Sequence, residues 1–539
     1  MRDSAYPLAV DLFCGAGGLS HGLEAAGYRV VLAADTDEWA LETHRHNIAS
    51  RAVQLDMAEP RAREEFVSML DGVDVGLVAG GPPCQPFSRA GRSKIRSLVD
   101  QGLRMEDDPR KDMWRAFLEL VEAIRPRAVL LENVPDMALG DGFTVLRAMI
   151  ERLDDAGYST DARIVDAWRH GVPQHRQRLF VVALKDGTFG WPAESGRVTV
   201  RHAISDLPRL SVSPDIELGA STMSYTTILP SDVSGCEGSD DGTLNGFAVR
   251  ARRGCVGENA RVVHDHVTRP VRADDFEAFK LMDSNTLYSD LPERLRRYRS
   301  DTFNDKYNRL GWDDLSRTVT AHLAKDGYWY IHPEQHRSLT VREAARLQTF
   351  PDTFRFAGYR SHQFQQIGNA VPPRLAQQIG SAILNSVHPG RARLSFGPEH
   401  RSVERRRCAF SESLLHWVDT DDDARRVIDA VAQGGARNER WVGLLDGRDN
   451  ALVPSTAALR VASRVSGSKT GQQTSAKIEL AKLVGFGVRS ADRNIAAHAL
   501  GTVVCKPRYP LCCDCPVSAV CATYTSADQP TPPVAGGCP

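Results

Sequence analysis

Short apolar runs separated by helix-length stretches fill residues 8–185, and this rhythm narrows the fold more than any other property of the chain. Leu8 to Leu12, Val30 to Ala34, Val75 to Ala79, Ala128 to Leu131 and Leu179 to Ala183 each read as a strand. Helical patterns intervene, one taking in Gly22 to Ala26 and another running through Trp39, Leu41 and His44. Strands alternating with helices predict a parallel α/β sheet that binds ligands at the carboxyl ends of its strands.

The rhythm fades from about 190 to 315, where Ser231 to Asn245 is rich in Gly, Ser and Asp, and an inserted, loop-rich lobe is expected. Order returns with Leu339 to Leu347, a helix in which Thr340 and Glu343 have capping-box spacing. A polar stretch from His388 to Glu399 reads as a linker. The expected organisation is an α/β domain over 1–190, a lobe over 191–315, a return of the first domain over 316–390, a mostly helical unit over 400–525 and a disordered tail over 526–539. With 42% hydrophobic and 25% charged residues, a 539-residue chain is expected to form several globular domains. No stretch approaches 18 uncharged apolar residues, and the first residues lack the apolar centre of a signal peptide, so no membrane contact and a cytoplasmic location are expected. The net charge of -1 means that any nucleic-acid contact must come from a local basic surface.

Three blocks carry the chemistry. Asp11-Leu12-Phe13-Cys14-Gly15-Ala16-Gly17-Gly18 follows the first strand, where glycines let the backbone turn and approach a ligand. Asp35 and Asp56 follow the next two strand segments, a ribose site and an adenine site if the ligand carries a nucleoside, and solvated or capping acids if it does not. Gly80-Gly81-Pro82-Pro83-Cys84-Gln85-Pro86-Phe87-Ser88 sets a cysteine between prolines just past a strand end, poor placement for core packing. Glu132-Asn133-Val134 leaves another strand at the same edge. Arg176 and Arg178 flank one residue ahead of Leu179 and should share a face, offering fixed donors to an oxygen or phosphate.

In this order the blocks resemble the DNA cytosine-5 methyltransferase family. The likeness continues through Arg337 to Asp352 and Gln366 to Pro373, covers about 6–387, and near Asn304 to Leu310 is similar to relatives of the Dcm type. It implies a Rossmann-like α/β fold dependent on S-adenosylmethionine, with the inserted lobe as target-recognition region. By the resemblance, Cys84 attacks C6 of a cytosine rotated out of duplex DNA, since a thiolate is soft, nucleophilic and a good leaving group. Glu132 shares a proton with ring N3, Arg178 holds O2, and Arg176 belongs to the same catalytic group. Phe13, Cys14, Gly15, Ala16, Gly17, Gly18, Pro82, Asn369 and Ala370 surround the cofactor, with Asp35 at its ribose and Asp56 at its adenine. The cations of Ser88 to Arg96 would meet phosphates, and Arg250, Arg252 and Arg253 either face a groove or are solvated. Duplex DNA is the expected partner, with a restriction or defence-system protein as a further candidate, and the chain is expected to be monomeric. An RNA cytosine-5 methyltransferase, and a DNA-binding scaffold with an idle catalytic half, are the rival readings.

Cys505, Cys512, Cys515 and Cys521 have gaps of six, two and five residues, a metal-site pattern. The spacing resembles the iron–sulfur loop of the endonuclease III family of helix-hairpin-helix glycosylases, as do Thr456 to Val465 and Asn494 to Cys505. The resemblance implies a four-iron, four-sulfur cluster on these four thiolates, with zinc as the alternative. The family's hairpin is replaced near Gly434 to Asn438 and Ser455 stands at the catalytic aspartate's place, so a DNA-binding unit without glycosylase activity is expected, a bifunctional enzyme being the alternative.

Overall fold

The computed structural model describes residues 7–83, 112–139, 144–214, 218–224, 244–253, 262–297, 307–387, 414–418, 420–433, 453–467, 473–484, 490–507, 515–518 and 521–522. Cys84, the Ser88 to Arg96 loop, Cys512 and the 526–539 tail lie outside them.

The strands are β1 (Leu8–Leu12), β2 (Arg29–Asp35), β3 (Arg51–Gln54), β4 (Val75–Gly80), β5 (Ala128–Asn133), β6 (Ser159–Asp166) and β7 (Gln177–Leu184). They form one sheet in the order β3-β2-β1-β4-β5-β7-β6. The first five run parallel, but β7 is antiparallel to both β5 and β6, so the expected parallel sheet is a mixed one. The Gly157 turn and β6 are the missed pieces: Ser159–Asp166 carries polar residues on its outer half and lacks the uniformly apolar run of a central strand. The order reverses between β1 and β4, opening a crevice at their carboxyl ends.

Ala9, Val10, Leu12, Leu77, Val78 and Ala79 are fully buried, as strands covered on both faces require. One cover consists of the helix Gly18–Ala26 packed on the helix Pro373–Val387. The contact is so close that a Cβ at Gly22 would lie 2.5 Å from the Pro373 carbonyl oxygen. The carboxyl-terminal return of the sheet domain is thereby locked to the first glycine-rich turn.

The lobe contains a two-stranded antiparallel ribbon, β8 (Leu218–Ser224) with β9 (Val262–Thr268). The helix Val341–Leu347 joins it to the sheet domain, and the Thr340–Glu343 capping box is present. Its arginines are inside. Arg337 donates to both oxygens of Glu343 at 2.8 and 2.7 Å, and Arg346 to both of Asp352 at 2.6 Å. Arg346 also reaches Asp206 and Arg342 reaches Asp265, both lobe residues. Bidentate guanidinium pairs make such burial tolerable and fix the lobe's attachment.

Beyond 400, the helices Asp422–Gln433, Thr456–Ser466, Gln473–Val484 and Ser490–Val503 pack together, and their apolar core is continuous with the sheet domain. Among the described residues no helix is long and apolar enough to cross a membrane.

Candidate active site

The carboxyl ends of β4 and β5 meet the amino end of β7. Arg178 Nε donates to Glu132 Oε1 at 2.9 Å, with the two side chains 15% and 11% exposed. The antiparallel register pairs Glu132 with Phe180 and Asn133 with Leu179, which holds both charged groups at one edge. Asn133 Nδ2 donates to the Pro82 carbonyl at 3.0 Å, and a Cβ at Gly81 would lie 3.3 Å from Glu132 Oε2. The segment that leads into Cys84 is therefore tied to the carboxylate. A cleft of about 350 Å³ opens here, lined by Pro135, Asp166, Trp168, His175, Gln177, Arg178 and Thr318.

A second cradle lies at β1. Phe13 and Gly15 both have positive φ, 59° and 51°, and a Cβ at Gly15 would meet nothing within 4 Å. The turn is held by Asp35, whose Oδ2 accepts from the Gly15 amide at 2.8 Å and whose Oδ1 accepts from Thr36 and Asp37 at 2.7 and 2.9 Å. Ala370 packs here too: a Cβ at Gly18 would lie 3.1 Å from Ala370 Cβ.

Residues 9–385 match the model of the family described as C-5 cytosine-specific DNA methylase. The chain belongs to that family. It is a DNA cytosine methyltransferase, and membership implies S-adenosylmethionine as methyl donor. Its relatives include the type II methyltransferase M.AgeI of Thalassovita gelatinovora, 33% identical over 438 residues, 69% of this chain and 98% of the relative. Another is the type II methyltransferase M1.HphI of Haemophilus parahaemolyticus, 30% identical over 378 residues, 70% of this chain and 86% of the relative. An E. coli prophage-encoded DNA modification methyltransferase of known structure shares the fold, with a TM-score of 0.54 at 24% identity over 71% of this chain and 99% of that one.

The methylase's β1 cradle suits the donor. Space is open above Gly15, and Asp11 is fully buried with its Oδ1 lacking a hydrogen-bond partner among the described residues. Such a carboxyl is fitted to an amino-bearing ligand. Asp11 sits mid-strand in an apolar run, a signal that sequence reading passed over. Its Oδ2 accepts from Ser20 Oγ at 2.6 Å, and Ser20 Oγ lies 3.0 Å from His44 Nε2. Burial pushes the Asp11 carboxyl up from 3.8 to about 7, against the Ser20 hydrogen bond. The folded chain thus holds this proton to higher pH than the unfolded chain. The resulting stabilisation is complete below 3.8 and lost as pH rises through about 7. Urea unfolding of the ligand-free methylase should show stability declining across that window, and Asp11→Asn should flatten the decline; an equal slope in both proteins would refute the assignment.

The cofactor residues named from sequence are distributed as follows. Cys14 is buried, Phe13 and Gly15 half-buried, and Ala16, Gly17, Gly18, Pro82 and Ala370 buried; Asn369 and Asp56 are exposed. Asp56 Oδ1 accepts from the Ala58 amide at 2.9 Å, a local turn contact.

Arg176 and Arg178 part company. Arg176 is buried and donates to the carbonyls of Val319 at 2.9 Å, Gly368 at 3.4 Å and Ala370 at 2.8 Å. The two-residue alternation fails because Arg176 precedes β7 in a tight turn, its amide bonded to the Gln174 carbonyl at 3.0 Å. In this geometry Arg176 is a positioning residue for the 368–370 segment. Arg176→Met is expected to cost about 3 kcal/mol in chemical unfolding. Turnover of the protein that remains folded should fall less than with Arg178→Met.

In the lobe, Arg252 is buried against Asp206, which removes it from any groove. Arg250 and Arg253 line a cleft of about 170 Å³ with Phe247, Thr349 and Arg374. Arg309, in the tract similar to Dcm relatives, is buried and donates to carbonyls of His332, Gln335 and Phe279.

The expected metal centre is not supported. Cys505 Sγ accepts from Arg464 Nη1 at 3.3 Å and Cys521 Sγ donates to the Arg464 carbonyl at 3.5 Å, so two of the cysteines meet at one arginine. Among the described residues, however, no three Cys, His, Asp or Glu side chains come together as a metal site. Nor does the family match extend to this region.

Proposed function

We propose that the methylase transfers a methyl group to C5 of a cytosine everted from duplex DNA, with Cys84 as covalent nucleophile. The Glu132–Arg178 pair, tied through Asn133 to the backbone just before Cys84, carries this reading. Bound at the β1 cradle, S-adenosylmethionine supplies an electrophilic methyl group. Cys84 adds to C6, which breaks the ring's conjugation and raises electron density at C5. Glu132 holds a proton at N3 as that charge develops, while Arg178 fixes both the carboxylate and O2. C5 then takes the methyl group, and loss of the C5 proton to a base restores the ring's double bond and expels Cys84 as thiolate. The type II relatives support a modification role beside a restriction partner. Wild-type protein incubated with donor and duplexes of varied sequence, then read by bisulfite sequencing, tests the reading; no methylated cytosine in any duplex would refute it.

For the unit beyond 400, we infer a DNA-binding unit with no glycosylase activity of its own. Ser455, at the place of the glycosylase aspartate, caps its helix by accepting from the Ala458 amide at 3.1 Å and lies 2.8 Å from His498 Nδ1. A four-iron, four-sulfur cluster would be held by Cys505, Cys512, Cys515 and Cys521, whose spacing is its support. A brown protein absorbing near 400 nm would support it, and a colourless, iron-free one would exclude it.

A further inference from the structure

The unit beyond 400 meets the catalytic half through a charged contact. The helix Gln473–Val484 packs on β6 and on the short helix Pro135–Leu139, which follows the Glu132-Asn133 turn. From it Lys482 Nζ donates to Asp166 Oδ2 at 2.6 Å, with the side chains 17% and 16% exposed, while Glu479 one turn earlier accepts from the same ammonium at 3.1 Å. Asp166 closes β6. Burial would raise its carboxyl, but Lys482, together with Gln177 and Arg169, holds it below the usual range. Its Oδ1 accepts from Gln177 Nε2 at 2.8 Å, and the β6–β7 register pairs Asp166 with Gln177 and Val165 with Arg178. Arg178 Nη1 donates to the Gln177 carbonyl at 2.7 Å and its Nε to Glu132 at 2.9 Å. An unbroken series of polar contacts thus runs from the appended unit to the carboxylate of the site, and Asp166, Gln177 and Arg178 all line the same cleft.

We propose that Lys482 is a positioning residue for methyl transfer, fixing Asp166 and through it the Gln177–Arg178 edge of the target-base cleft. The appended unit is then a working part of the catalytic wall. A partly buried ion pair that only joined two domains could form anywhere along their interface, and hydrophobic packing would serve as well. This one ends on the residue whose neighbour orients Arg178. The proposal rests on the reading that the cleft receives cytosine.

The test uses the full chain, S-adenosylmethionine and a duplex methylated by the wild type. Lys482→Met should lower kcat about tenfold, in line with small misplacements of catalytic groups, while KM for the donor and affinity for DNA stay within about twofold. Lys482→Arg should restore most of kcat, since it keeps the charge and reach to Asp166. Asp166→Asn should lower kcat comparably, and adding Lys482→Met to it should cause little further loss, because both act through one contact. Thermal melts of each variant accompany the kinetics, and if Lys482→Met fails to fold, Asp166→Asn carries the test. Wild-type kcat in both well-folded single variants, or losses confined to donor KM, overturns the proposal alone. A wild-type chain that methylates no duplex overturns the reading of the site and the proposal with it.

Discussion

Cys84→Ser protein is expected to form no covalent adduct with duplex DNA containing 5-fluorocytosine and to transfer no detectable methyl group, while its affinity for the duplex stays close to wild type. Fluorine at C5 cannot leave as a proton does, so a nucleophile that has added to C6 remains attached and survives a denaturing gel. Serine keeps the size of the side chain but not the polarizable, readily ionised sulfur on which addition depends. The free thiol of Cys14 cannot substitute. Cys14 is buried, and burial together with the adjacent Asp11 and Asp35 charges drives its thiol well above the ordinary range, leaving it protonated. An adduct that persists in Cys84→Ser, or a wild-type protein that never forms one in the presence of donor, would remove Cys84 from the mechanism. Duplex binding by the serine variant is the control that separates lost chemistry from lost recognition.

The sequence rendered the parallel half of the sheet readable because buried parallel strands are near-continuous apolar runs: β4 is one, β2 and β5 contain one, and β1 is one apart from Asp11. Glu132 and Arg178 were readable as candidates for a different reason: each flanks such a run, so each had to fall at a strand end. What stayed hidden depended on contacts distant in sequence. Arg176 looked like a twin of Arg178 until the carbonyls of Val319, Gly368 and Ala370 claimed it. The capping box at Thr340 and Glu343 was legible, but nothing local showed that Arg337, Arg342 and Arg346 are turned inward by carboxylates at Glu343, Asp265 and Asp352. Asp35 was marked for a ligand from its place at a strand end, but the bond that its Oδ2 accepts from the Gly15 amide, twenty positions away, had no local signature. The Lys482–Asp166 pair spans 316 positions and has no local signature. Charged side chains are thus poorly placed by pattern alone, because their burial is decided by partners that only the fold supplies.

Glu132→Gln should lower single-turnover methyl transfer by about 10²–10⁴-fold, the usual worth of a positioned acid, with duplex and donor affinity little changed. Glutamine preserves the shape of the side chain and can still accept from Arg178 Nε through its oxygen, so the 2.9 Å contact need not be lost. Its amide can donate a hydrogen bond but has no acidic proton to give a ring nitrogen. The experiment therefore separates two roles that the geometry combines, a brace for Arg178 and an acid for the base. The Arg337–Glu343 pair shows what a purely structural pair looks like in this protein: both side chains are at most 1% exposed, and the carboxylate also caps a helix. Glu132 sits instead at a strand end facing Gly81, where a missing side chain leaves the carboxylate open to whatever enters beside Pro82. Rapid-quench measurement of methyl transfer and of adduct formation should show both steps slowed together, because the proton at N3 is needed when sulfur adds. Turnover within about tenfold of wild type would leave Glu132 as a brace only, since an acid contributes at least about 10²-fold.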